Sequence, residues 1–208
     1  MMNWLNDNSQ ALNTLLNAGM LLIWLLYFQL LYLSFRAQKR PNLLINRSAG
    51  NDARSHCLIS NMSASAVYVQ AILLDMSSGG RHWTATISDM QTLGSDETAS
   101  QAMERTKQGP LKEGDFMDIG SFEDLVDTAI GVRSSSTEGP NDISDVDTLT
   151  VTVAAVYTSK NTLIGAHRSF RVSEENGRIF LRPETTLANQ IASLRQRRKL
   201  ARLVTAAG

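Results

Sequence analysis

The side chains in this sequence that could do chemistry are few and widely spaced. Three histidines, His56, His82 and His167, and two acidic stretches, EGDFMDIG from Glu113 and NDISDVD from Asn141, are the candidate metal ligands. Zinc sites take imidazoles at short, regular intervals, and calcium loops take carboxylates at fixed alternate positions. The histidines fall on three separate strand-like segments, and neither acidic stretch has the loop pattern of an EF-hand. The single cysteine, Cys57, cannot form an intramolecular disulfide, and within HCLISN it reads as a small buried apolar residue. No nucleophile elbow, phosphate-binding loop, dinucleotide fingerprint or zinc-protease motif occurs. The expectation is a protein without catalytic residues, metal or cofactor.

One cluster is dense. Arg195, Arg197, Arg198, Lys199 and Arg202 place five positive charges within eight residues, with Leu200, Leu203 and Val204 among them. A basic amphipathic helix of this kind suits the anionic face of a membrane or an acidic partner. Nucleic acid is not expected as a partner, because aromatic residues do not interleave with the charges and no recognition motif is present.

The charge over the whole chain is balanced, 20 basic residues against 20 acidic ones, but it is unevenly laid out. Glu113 to Asp147 holds ten acidic residues and one basic residue, Arg133, whereas Arg168 to Arg202 holds nine basic residues and three acidic ones. Oppositely charged surfaces of this kind steer docking and leave the fold undetermined.

Positioning begins with the N-terminal apolar run. No charged residue occurs between Asp7 and Arg36, and the apolar heart runs from Leu15 to Phe35, 21 residues. As a helix that length covers roughly 30 Å, the thickness of a hydrocarbon core. A cleavable signal would open with positive charge and close on small residues. Here MMNWLNDNSQ precedes the run and the bulky, basic LSFRAQKRP follows it. The run therefore reads as a permanent span, with Trp24 among its aromatic residues. Arg36, Lys39 and Arg40 after it, against Asp7 before it, place the N-terminus outside and the rest in the cytoplasm. Within the span, Gln29 is the residue that most suggests a neighbouring helix, at roughly 1 kcal/mol for an interhelical hydrogen bond. Asn17 sits nearer the outer interface.

After Pro41 the pattern becomes that of strands. NLLINR, HCLISN, AVYVQAILLDM, RHWTATIS, DTLTVTVAAVYTS, TLIGAHRSFRV and RIFLRP are seven strand-like segments separated by turn signals such as SSGG, KN and EENG. In RHWTATIS, His82, Thr84 and Thr86 alternate with Trp83, Ala85 and Ile87; Leu149, Val151 and Val153 alternate likewise with Thr148, Thr150 and Thr152. SFEDLVDTAI reads as a short helix capped by Ser121, with Phe122, Leu125, Val126 and Ala129 on one face. RSSSTEGPNDISDVD, residues 133–147, has the composition of a mobile loop. From Glu184, ETTLANQIASLRQRRKLARLV is expected to be helical, with Leu187, Ile191 and Leu194 along one side.

The fold class that follows is mainly β: a single transmembrane helix, then an antiparallel β-sandwich of immunoglobulin-like kind, a short internal helix and a C-terminal basic helix. The expected divisions are 1–14 as an extracytoplasmic N-terminus, 15–35 as the transmembrane helix and 36–41 as a basic juxtamembrane segment. Residues 42–183 would form the sandwich and 184–208 the basic helix and tail. RPNLLINR and CLISNMSA are similar to parts of small proteobacterial membrane proteins with no assigned activity, a likeness that brings no functional residue with it. The expected function is that of a non-enzymatic, single-pass bacterial inner-membrane protein whose cytoplasmic domain serves as an accessory or regulatory subunit of a membrane complex. Its expected partners are membrane lipids and other membrane subunits, or a second copy through the span. The alternative is a membrane-surface sensor or lipid-binding module that uses the basic helix.

Overall fold

The computed structural model describes residues 8–38, 41–87, 107–132, 139–159 and 161–207. The chain divides into two compact units, residues 1–40 and 41–208. Among its described residues the first is a single helix, α1 (Ser9–Gln38), unbroken from the second residue of the uncharged run to past its end. Its 30 residues lack glycine except at Gly19 and lack proline entirely, so nothing interrupts the hydrogen-bond ladder.

The second unit is mainly β, and its named strands pair antiparallel. The smaller sheet orders β1 (Leu43–Arg47), β2 (His56–Asn61) and β6 (Phe116–Ser121) side by side. The larger runs β10 (Asn189–Gln190), β8 (Thr162–Glu175), β7 (Thr148–Tyr157), β3 (Val67–Ser78) and β4 (Arg81–Thr86). β5 (Gly109–Leu111) pairs with the start of β3, and β9 (Arg178–Pro183) pairs with the end of β8. All seven expected segments are strands. β7 and β8 form the expected hairpin, with Tyr157 opposite Thr162. β8 and β9 are joined by Asn176 and Gly177 at φ 55° and 71°, the two left-handed residues that a tight right-twisting hairpin turn demands.

One core draws on both sheets. Leu43, Ile45, Cys57 and Ile59 of the small sheet join Val69, Ile72, Val151, Val153 and Phe170 of the large one, all without solvent exposure. Helix α2 (Phe122–Val132) adds Phe122, Leu125, Val126 and Ala129, the face expected from sequence. Phe122 meets Phe170 with ring centroids 4.8 Å apart and planes tilted by 59°, a favourable aromatic geometry. Ser121 Oγ accepts the Asp124 backbone N–H at 3.1 Å, so the expected cap is formed.

The expectations differ from the structure at three places. The 133–147 loop is expected to be mobile, yet its described part, residues 139–147, carries a 3-10 turn (Ile143–Asp145), and Ile143 and Val146 are buried in the core. Residues 133–138 lie outside the described residues. β5, β6 and β10 are not among the seven expected strands; β5 and β10 hold only three and two residues, and β6 overlaps the acidic stretch that begins at Glu113. The C-terminal helix, α3 (Leu194–Ala207), begins ten residues later than the expected start near Glu184. Asn189 and Gln190 pair instead with His167 and Ala166 of β8. Leu187 and Leu194 are left exposed, and only Ile191 is buried, so they form no stripe. Tertiary pairing overrides the apolar spacing here.

Candidate functional site

The histidines are not brought together. His56 lies on β2 in the small sheet, His82 on β4 and His167 on β8 in the large one. His56 Nδ1 approaches Asp118 Oδ2 at 2.7 Å across the β2–β6 pair, with both side chains about half exposed. Cys57, next along the strand, points to the opposite face and into the core, so it makes no dyad with His56. Burial, with a smaller contribution from Asp118, pushes its thiol well above the usual range.

The acidic stretches are occupied with backbone groups. Asp115 accepts the Lys112 N–H at 3.2 Å, and Asp118 accepts that of Gly120 at 2.9 Å. Asp145 accepts Asn141 N–H at 2.9 Å, and Asp147 accepts Gly79 N–H at 2.8 Å. These carboxylates shape turns. Among the described residues no group of three or more histidine, cysteine, aspartate or glutamate side chains is placed to hold a metal. An open cleft of about 550 Å³ lies between the 52–54 turn, the start of α2 and the β8–β9 turn. It mixes Arg54 and Arg178 with Asp52 and Glu123, and Arg54 Nε stands 3.8 Å from Glu123 Oε2 in an exposed pair.

A buried arginine holds the sheets together. Arg168 on β8, 7% exposed, donates from Nη1 to Ile45 C=O at 2.6 Å and to Asn46 Oδ1 at 2.7 Å. Its Nη2 donates to the Thr185 and Thr186 carbonyls at 3.0 Å each. The guanidinium thus ties β1, β8 and the chain after β9 into one unit. Burial, and then the neighbouring Arg47, push it below its ordinary pKa. Its Nε has no acceptor among the described residues. This clamp was not read from sequence; no spacing rule marks an arginine whose acceptors are distant carbonyls.

Helix α3 is sorted into two faces. Its start is a reciprocal cap: Ser193 Oγ accepts Gln196 N–H at 3.2 Å, and Gln196 Oε1 accepts Ser193 N–H at 3.3 Å. Leu200 is buried and Val204 packs beside it, against Ala71, Leu73, Ala154 and Ile191 on the outer face of the large sheet. Gly165 makes this seat possible, since a Cβ there would stand 2.7 Å from Leu200 Cδ2 and from the Val153 carbonyl oxygen. Of the five expected cations, Arg195, Arg198, Lys199 and Arg202 are exposed. Arg197 is half-buried, its Nε donating to the Ile191 carbonyl at 3.5 Å.

In α1, Ser9–Ser34 has the length and apolarity to cross a membrane, with a mean hydropathy of 1.7. Leu15, Trp24 and Gln29 are exposed, and so is every other large apolar side chain from Leu12 to Leu33. Arg36 falls within the helix; its side chain and that of Phe35, with Lys39 and Arg40 altogether, lie outside the described residues. Comparison with family models, curated proteins and solved structures finds no match to this chain.

Proposed function

We propose that this chain is a single-pass protein of the bacterial inner membrane, N-terminus outside, whose β domain acts in the cytoplasm without catalysis. Its role is that of an accessory or regulatory subunit, binding another membrane protein or a second copy of itself. The observation that carries the reading is α1. Its apolar side chains are exposed around the full circumference, with Leu15 at 74% and Phe28 at 69%, and none of the uncharged window is buried. A helix apolar all round needs an apolar surrounding. Arg36, Lys39 and Arg40 at its end support the cytoplasmic placement of the domain. Asn17 and Gln29, exposed on α1, supply amides for a neighbouring helix. Two antiparallel sheets sharing one core support a sandwich of immunoglobulin-like kind for the domain.

The native mass after gentle detergent extraction tests the subunit role. The expected result is a complex larger than one chain, with a co-purifying membrane protein or a second copy. A lone 22.9 kDa monomer contradicts it.

A further inference from the structure

We infer that the outward face of α3 docks on anionic lipid headgroups, beside the point where the membrane tether enters the domain. The inference rests on the anchored reading above.

Arg195, Arg198, Lys199 and Arg202 recur at intervals of three, one and three, the spacing of a single stripe along a helix. Leu200 and Val204, which hold α3 to the sheet, lie on the opposite side. Residues 185–207 contain no aspartate or glutamate, and none of the four cations has an ion-pair or hydrogen-bond partner among the described residues. Four uncompensated charges thus stand on about two turns of a helix that is fixed in place. Leu194 and Leu203, 72% and 39% exposed, flank the stripe on either side.

The mounting decides the kind of contact. A free amphipathic helix would sink its apolar face among acyl chains. In α3 that face is already occupied by the sheet, with Gly165 allowing close approach. What remains for a bilayer is charge on headgroups, which is strongly weakened by salt.

The location favours lipid over other polyanions. Gln190 holds both backbone groups of Leu43, at 3.1 and 2.7 Å, and α3 starts four residues after Gln190. In the sequence only residues 39–42 separate the end of α1 at Gln38 from Leu43 in this clamp. The basic helix therefore starts next to the tether's entry. A bilayer crossed by α1 is presented to it at high effective concentration, so weak contacts suffice. Each cation near an anionic leaflet is worth roughly fivefold in partition.

The test uses the full chain in nanodiscs, with an environment-sensitive fluorophore on Leu203→Cys; Cys57 is buried and stays unlabelled. Discs of phosphatidylcholine alone are compared with discs that also contain phosphatidylglycerol. A blue shift is expected only in the anionic discs, reversed by high salt. In the combined Arg195→Gln, Arg198→Gln, Lys199→Gln and Arg202→Gln variant the response falls at least about tenfold. Identical emission in both discs overturns the inference while leaving the anchor intact. Failure to enter either disc overturns the anchored reading and this inference with it. A shift produced by added polyglutamate or RNA and not by phosphatidylglycerol assigns the face to a macromolecule instead.

Discussion

The side-chain amide of Gln190 pairs with both backbone groups of Leu43: Oε1 accepts its N–H at 3.1 Å, and Nε2 donates to its carbonyl at 2.7 Å. One side chain thereby stands in for a neighbouring strand at the edge of β1. Further along that edge, Arg168 takes the Ile45 carbonyl. Gln190→Leu leaves both Leu43 groups without partners beside a fully buried side chain. The expected cost is about 1–3 kcal/mol, read as a lower urea midpoint. An unchanged midpoint would show that the clamp contributes nothing.

Gly165 and Leu200 test how α3 is seated. Gly165→Val places carbon where Leu200 Cδ2, the Val153 carbonyl and Ile191 Cδ1 already lie within about 3 Å. Overpacking of this kind costs about 1–3 kcal/mol. Amide hydrogen exchange is expected to speed up across 194–207 first, with the β1–β2 pair protected as before. Uniform loss of protection would contradict a separately seated helix.

Arg168 is expected to behave as a structural clamp. Arg168→Lys keeps the charge but cannot reach four acceptors in two directions, while Arg168→Met orphans all four. Losses of about 1–2 and about 3 kcal/mol are expected respectively. Thermal unfolding of the two variants checks the order; a methionine variant as stable as the parent would contradict it.

Cys57 gives a pH dependence of known sign. Its thiol is raised above its ordinary value of 9.0, chiefly by burial. Below that value both folded and unfolded chains hold the proton, so nothing is lost. Above it the unfolded chain ionises first, and stability falls by at most about 1.4 kcal/mol per pH unit from this group. Cys57→Ala is expected to flatten that decline, and iodoacetamide to modify native protein only after denaturant is added. Rapid modification of the native protein would contradict the burial.

The strands were legible where one face alone meets the core: Trp83 and Ala85 of β4 pack against it, and Leu149 and Val151 of β7 are buried while Thr148 and Thr150 are only half-buried. From Thr152 to Ala155 β7 is buried on both faces, and the alternation fades. α2 was legible because Ser121 and its apolar face agree. The start of α3 was misread although Ser193 and Gln196 carry a capping-box signal; the spacing of Leu187, Ile191 and Leu194 pointed elsewhere. Only pairing with β8, distant in sequence, decides between them. The cation cluster was legible as a count. That Arg197 turns inward and the other four outward depends on which face of α3 meets the sheet, and Gly165, 35 residues before Leu200, leaves the room for that contact.

The most direct measurement of the account is membrane fractionation of the full chain and of a form lacking residues 1–40, each washed with alkaline carbonate. The full chain is expected to remain in the membrane pellet, and the shortened form to be recovered in the supernatant, whole and folded. Release of the full chain by the wash, or retention of the shortened form, would contradict α1 as the anchor.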